Sequence, residues 1–203
     1  MKIICIGKNY PEHIKELASA TPNSPVIFLK PDTALLTHNK PFYYPNFSNE
    51  IHHEVEIIVK IMSNGTNIEQ DIANKYYSEI GVGIDFTARD LQRNLKANGL
   101  PWEISKAFNH SAPISKLLPK KMYGDIKNIS FGLLKNGKSV QEGNTKDMIF
   151  DIDTIISYVS QFITLNTGDI LFTGTPHGVS AVQKGDVLEA YIEGDKLLEC
   201  KIY

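Results

Sequence analysis

The sequence predicts a strand-dominated, mixed α+β fold in one domain spanning residues 1–203. Three observations carry that expectation. Short runs of β-branched residues recur along the chain, Asn-Gly and Gly-Asp turns punctuate them, and few stretches have helical periodicity. No internal repeat, linker or low-complexity segment divides the chain, and its 203 residues are enough to bury a sizeable core.

Residues 2–7 (KIICIG) read as a buried strand ended by glycine. A helical piece follows in which Pro11 is tolerated near the start and Ile14 and Leu17, three apart, share a face. Residues 26–30 (VIFLK) form a second strand closed by Pro31, and 41–48 read as loop or edge strand. Residues 53–61 (HEVEIIVKI) are the strongest strand of the first half, stopped by Asn64-Gly65. Residues 68–77 have helical composition, 80–86 (IGVGIDF) form a glycine-containing strand, and 87–98 form a helix stopped by Gly99 and Pro101. In the second half, Asn136-Gly137 joins 129–136 to 138–142 as a hairpin. Residues 151–162 form an amphipathic helix, with Ile152, Ile155, Ile156, Val159 and Ile163 near helical spacing. Gly168-Asp169 and Gly185-Asp186 then introduce strands at 170–173 and 187–192.

Composition narrows the partners. A net charge of −2 with no Lys/Arg run offers no phosphate-binding stripe, so nucleic acid is excluded. No segment approaches transmembrane length, and the N-terminal apolar stretch, residues 3–6, is too short for a signal-peptide core. Cys5 and Cys200 stand at opposite ends without metal-binding spacing and read as reduced thiols, which makes the cytoplasm the expected location.

Chemistry concentrates in the carboxylates. Glu54 and Glu56 are two apart on the expected strand, so both project from one face, roughly 6.5–7 Å apart along the backbone. Val55, Ile57 and Val59 take the opposite face and pack in the core. Close carboxylates repel, and a proton or a cation relieves the cost. Asp85 ends a second strand after a glycine-rich approach. Three oxygen donors without a thiol suit Mg²⁺, with Mn²⁺ next, and suit zinc less despite His52 and His53 nearby. A solvated strand edge with alternating charge fits the same spacing, and both readings stand at this point.

Larger motifs surround these residues. His52-His53-Glu54-Val55-Glu56, then Gly83-Ile84-Asp85-Phe86-Thr87-Ala88-Arg89-Asp90-Leu91-Gln92, and later Gly168-Asp169-Ile170-Leu171-Phe172-Thr173-Gly174-Thr175-Pro176-His177-Gly178-Val179 follow one another in order. With Gly99-Leu100-Pro101-Trp102 and Lys106 between them, the set resembles the fumarylacetoacetate hydrolase family over essentially the whole chain. Within the family it is similar to the short acylpyruvase and oxaloacetate decarboxylase-like members. The resemblance implies a mostly β fold called a β-roll, a Mg²⁺ or Mn²⁺ cofactor, a small α-keto acid substrate and a homodimer. It also implies that Glu54, Glu56 and Asp85 are the metal ligands, Lys106 the active-site lysine, and Arg89, Gln92 and Thr175 substrate contacts.

His13 and Glu16, three apart on the first helix, share a face. Spacing alone makes them an ordinary exposed pair; the resemblance makes them the dyad that activates water, the carboxylate fixing the tautomer of a histidine base. Lys8 is a further substrate-contacting candidate. Many family members carry arginine there, and exchanging a bidentate guanidinium for a point charge bears on how a substrate carboxylate is held.

The implied chemistry is metal-dependent cleavage of a C–C bond in a small β-diketo acid or keto diacid, by acylpyruvate hydrolysis or oxaloacetate decarboxylation, through an enolate that the cation stabilises as a Lewis acid. Isomerisation or tautomerisation of unsaturated keto diacids, of the 2-hydroxyhepta-2,4-diene-1,7-dioate or oxaloacetate type, is the alternative, and a non-catalytic metal-binding homologue is the second. His38 and His110 lack partners at useful spacing and read as surface residues. Trp102 and Tyr76-Tyr77 read as packing, while residues 19–25 and 108–123 are candidate pocket-bordering loops.

Overall fold

A six-stranded mixed sheet forms the centre of the computed structural model, which describes residues 1–203. Its order is Val26–Lys30, Ile3–Gly7, Ile170–Phe172, Val55–Ile61, Tyr77–Ile84 and Leu118–Pro119. Ile3–Gly7 runs parallel to Ile170–Phe172, and every other neighbouring pair in this sheet is antiparallel. An antiparallel four-stranded sheet, ordered Lys138–Asn144, Ser130–Lys135, Val187–Ile192, Asp195–Lys201, lies across the main core. A small sheet joins Ser180–Ala181, Ile51–His53 and Thr87–Ala88. The architecture is strand-dominated α+β, and no helix is long and apolar enough to cross a membrane.

Alternation along Val55–Ile61 explains the layering. Val55, Ile57 and Val59 enter the large core with Val82 and Ile84 from the neighbouring strand, Leu133, Leu188 and Leu198 from the second sheet, and Ile155 and Ile156 from helix Ile152–Ser160. Ile58 faces the other way and joins Ile3, Cys5, Ile170 and Phe172 in a smaller cluster. The central sheet is therefore apolar on both faces, as its near-continuous β-branched runs require. Cys5 and Cys200 are free and buried.

Several elements depart from expectation. Residues 53–61 do not make one strand: the chain leaves the small sheet at His53, crosses at Glu54, and enters the central sheet at Val55. The expected helix over 68–77 is a 3₁₀ segment, Gln70–Lys75, because Tyr77 is drawn into the strand opposite Ile61, where it is fully buried. The helix expected from residue 87 begins at Arg89, since Thr87 and Ala88 pair with His52 and Ile51. Asp195–Lys201 escaped sequence reading because four charged residues among seven mask it; the turn at Glu193-Gly194, both in the left-handed region, folds it back on Val187–Ile192 and buries Leu198 and Cys200. The Asn136-Gly137 hairpin forms as read, with φ of 53° and 75°.

Asp169 ties the two parallel central strands together at their start. Its carboxylate accepts from the Lys2 and Asn166 backbone N–H groups, each at 2.8 Å, and pairs with the Lys2 ammonium at 2.6 Å. Burial pushes this carboxyl up, but the Lys2 contacts and the Asn166 amide outweigh burial and hold it below its ordinary value of 3.8. A depressed native value stabilises the fold above the unfolded value and is lost as pH falls through the native one. Asp169→Asn is therefore expected to cost about 1–3 kcal/mol at neutral pH and to flatten the acid limb of the stability curve below about pH 4, measured by urea unfolding across pH. An unchanged acid limb contradicts this role.

Candidate active site at the seam between two sheets

Two chain segments cross from the central sheet to the small one side by side, and each drops a carboxylate at its crossing. Glu54 separates Ile51–His53 from Val55–Ile61, Asp85 follows Tyr77–Ile84, and the Asp85 N–H donates to the Glu54 carbonyl at 2.8 Å. Glu56 lies one pleat further on, paired with Gly83. A Cβ on Gly83 would meet the Phe172 ring at 2.7 Å, so glycine lets that ring pack beneath the site. One carboxylate oxygen from each of Glu54, Glu56 and Asp85 lies within 4.8 Å of the others, and the residues are 5%, 2% and 0% exposed. This burial removes the solvated-edge reading of the Glu-x-Glu pattern.

The charge compensation is uneven. The Lys106 ammonium donates to Glu54 at 2.8 Å and to Asp85 at 2.6 Å, and the Arg89 guanidinium donates to the other oxygen of Glu54. Burial raises the Glu54 carboxyl, but Lys106 and Arg89 outweigh it and hold it far below the usual carboxylate range. Burial pulls the Lys106 ammonium down, and Asp85 and Glu54 more than restore it, so it stays charged. Glu56 has only the Gly174 N–H, at 2.6 Å. Burial, then Asp85 and Glu54, push it well above the carboxylate range. At an effective dielectric of about 20, two unit charges 4.8 Å apart repel by roughly 3.5 kcal/mol, a cost at Glu56 that a proton or a bound cation relieves.

Lys30, not singled out from the sequence, also belongs to this charge cluster. It is 1% exposed, and its ammonium donates to the Lys106 carbonyl and to the Ser111 hydroxyl at 2.9 Å, with the Ser111 and Phe86 carbonyls at 3.3 and 3.4 Å. Its ammonium also lies 2.7 Å from Asp85 Oδ1, a fully buried ion pair. Only its position at the end of an apolar strand, before Pro31, could have flagged a buried lysine. Glu56, which no side-chain cation pairs with, and an all-oxygen donor set fit a hard divalent cation. The neighbouring histidines are engaged elsewhere: His52 with Glu50 at 2.9 Å, and His53 with Gln141 and Ser180 at 2.9 and 2.8 Å, burial dropping its imidazole to about 4.

Glu54, Glu56 and Asp85 line one small cavity of about 40 Å³. His13, Lys8, Arg89, Gln92, Lys106 and Thr175 all reach its wall. Helix Arg89–Ala97 turns Arg89 and Gln92 inward because they are three apart, and Arg89 Nη1 donates to Gln92 Oε1 at 2.5 Å. His13 is 4% exposed, not the open pair its spacing alone describes. Its Nδ1 lies 3.0 Å from Glu16 Oε2, and Glu16 Oε1 accepts from the Gly178 N–H at 3.1 Å. Lys8 has φ of 58°, a left-handed conformation uncommon outside glycine. Lys96, unforeseen from sequence, joins the rim, its ammonium lowered by burial and by Lys8 and Arg89. Trp102, read as packing, packs on Phe28 and lines the cavity with it. Neither 19–25 nor 108–123 contributes to this wall; Leu17 does.

Comparison with known proteins follows from this geometry. The sequence model of the family described as "Fumarylacetoacetate (FAA) hydrolase C-terminal" matches residues 2–202. Oxaloacetate tautomerase FAHD1, mitochondrial, from Bos taurus is 40% identical over 200 residues, covering 98% of this chain and 90% of the relative. Oxaloacetate tautomerase YcgM from Escherichia coli K12 is 42% identical over 197 residues, covering 97% and 90%. The crystal structure of fumarylpyruvate hydrolase from Pseudomonas aeruginosa in complex with Mn²⁺ and pyruvate superposes with a TM-score of 0.94 at 32% identity, covering 100% of this chain and 89% of that one.

If the triad is a cation site, Mn²⁺ at a hundred times its Kd adds about 2.7 kcal/mol to the unfolding free energy. Glu56→Gln is expected to weaken Mn²⁺ at least about 10–100-fold by calorimetry. Wild-type protein that binds no Mn²⁺ contradicts the site.

Proposed function

The chain belongs to the fumarylacetoacetate hydrolase family, and from that premise we propose that it is a divalent-metal enzyme that enolises a small α-keto diacid of the oxaloacetate type. The observation that carries this reading is one cavity wall holding both the buried oxygen triad and a histidine whose far nitrogen is tied to a carboxylate. Glu54, Glu56 and Asp85 would hold Mg²⁺ or Mn²⁺. Bound there, the cation supplies a Lewis acid and a counter-charge for the keto acid's oxygens.

The residues do the rest. Glu16 accepts the Nδ1 proton of His13, which leaves Nε2 as the basic nitrogen. That nitrogen removes a proton from the carbon next to the ketone, the C–H electron pair moves toward the keto oxygen, and return of the proton to oxygen or carbon completes keto–enol exchange. Lys106, kept cationic by Asp85 and Glu54, stabilises the developing negative charge. Arg89, Gln92, Lys8 and Thr175 orient the substrate's carboxylates.

The His13–Glu16 pair also favours a second reading, C–C cleavage, in which His13 takes its proton from water. Hydroxide adds to the acyl carbon of an acylpyruvate, the C–C bond breaks, and its electron pair leaves as the pyruvate enolate. Decarboxylation of oxaloacetate reaches the same enolate by loss of CO₂ and needs no water.

The test is a Mg²⁺- and Mn²⁺-supplemented assay that follows enol–keto exchange and CO₂ release from oxaloacetate, and acetate release from acetylpyruvate, separately. His13→Ala should slow exchange about 10²–10⁴-fold and abolish acetylpyruvate hydrolysis while leaving Mn²⁺ affinity intact. Full retained turnover in that variant removes His13 from the mechanism.

A further inference from the structure

Behind the cavity wall, a hydrogen-bonded chain leads from Thr175 into the second sheet through Gln141, which is 2% exposed. Gln141 reaches the site because its strand is bulged. Leu133 pairs with Gln141 and Leu134 with Ser139, leaving Val140 as an extra residue. The loop carrying Thr175 is seated on that bulge: Gly178 has φ of 96°, and a Cβ there would meet the Val140 carbonyl oxygen at 2.2 Å.

The orientation of the Gln141 amide is dictated by groups with no choice of role. The Val55 backbone N–H can only donate, and it lies 3.0 Å from Oε1. The Pro176 carbonyl can only accept, and it lies 3.0 Å from Nε2. The amide therefore has a single assignment. His53 Nδ1, 2.9 Å from the same Oε1, must carry its proton. The remaining Nε2 hydrogen goes to Thr175 Oγ1 at 2.9 Å, so the threonine oxygen accepts in that bond. The hydroxyl proton is left over. Its protein acceptor is the Pro176 carbonyl at 3.5 Å, too long for a good O–H···O bond and already bonded to Gln141.

We propose that Gln141, held by His53 and the Val55 amide, is a positioning residue that fixes the Thr175 hydroxyl as a hydrogen-bond donor to an anionic oxygen of the bound keto acid. This rests on the keto-acid reading of the cavity. It extends the working site from the Glu54–Asp85 seam to the four-stranded sheet, through a residue outside every motif of the sequence. Thr175 thereby acts as a donor with a set polarity, and Gln141 acts through it without touching substrate.

A double-mutant cycle tests the inference, with pyruvate binding to the Mn²⁺-loaded protein measured by calorimetry and KM and kcat for oxaloacetate alongside. Thr175→Val and Gln141→Met should each weaken pyruvate about 10–100-fold, raise KM more than they lower kcat, and leave the Mn²⁺ Kd within about twofold. Thr175→Ser should restore near wild-type affinity. In the Thr175→Val background, Gln141→Met should add nothing further. If Gln141→Met does not fold, Gln141→Glu, which keeps acceptors for Val55 and His53 but removes the donor to Thr175, takes its place with the same expectation. Additive losses, or undiminished pyruvate binding in the Gln141 variant, overturn the inference while the keto-acid reading stands. Wild-type protein that binds no pyruvate overturns the keto-acid reading itself, and this inference with it.

Discussion

Glu54, Glu56 and Asp85 can stay ionised within 4.8 Å of one another only if positive charge is buried with them, and the surrounding elements are arranged to supply it. Lys106 comes from a one-turn helix, Arg89 from the first turn of another, and Lys30 from the end of an edge strand of the six-stranded sheet. Each cation is fixed by what it touches besides the carboxylates. Lys30 holds the Lys106 carbonyl, so the second lysine is placed by the first, and Arg89 is braced on Gln92. Removing one member of such a set strands a buried charge, at a cost of about 3–5 kcal/mol. Compensation stops short of Glu56, which keeps a single backbone N–H. Three buried cations match the three carboxylates in number, but none of them pairs with Glu56, so its oxygens are where a divalent cation would find uncompensated charge.

The same seam brings the His13–Glu16 pair and the charge cluster to one cavity. The Gly174–Gly178 loop touches Glu56 at one end and Glu16 at the other, through the N–H groups of its two glycines. Both glycines need positive φ and close approach: a Cβ on Gly174 would meet Asn9 Cβ at 2.6 Å. Asn9, fully buried, ties this region together by donating to the Thr173 and Phe150 carbonyls at 2.7 and 2.9 Å and accepting from the Phe150 N–H at 2.8 Å. The loop therefore holds the metal-ligand candidate and the His13–Glu16 pair in fixed relation, a precondition for moving a proton next to a stabilised oxygen. Relatives named as oxaloacetate tautomerases and a fumarylpyruvate hydrolase of the same fold show that one scaffold serves more than one reaction.

Much of the architecture and the carboxylate constellation was legible in the chain itself. Alternation around Val55–Ile61 put Val55, Ile57 and Val59 in the core and both glutamates on the other face, Asn136-Gly137 announced its hairpin, and i,i+3 spacing paired His13 with Glu16. These are local periodicities, and local geometry enforces them. Tertiary structure decided the rest. It broke the strand at Glu54, because the chain there serves two sheets, and it buried an oxygen triad that local spacing could equally have left in solvent. It brought Lys30 to Asp85 across 55 residues and Gln141 to Thr175 across 34, contacts that no periodicity encodes because each depends on how separate strands pack.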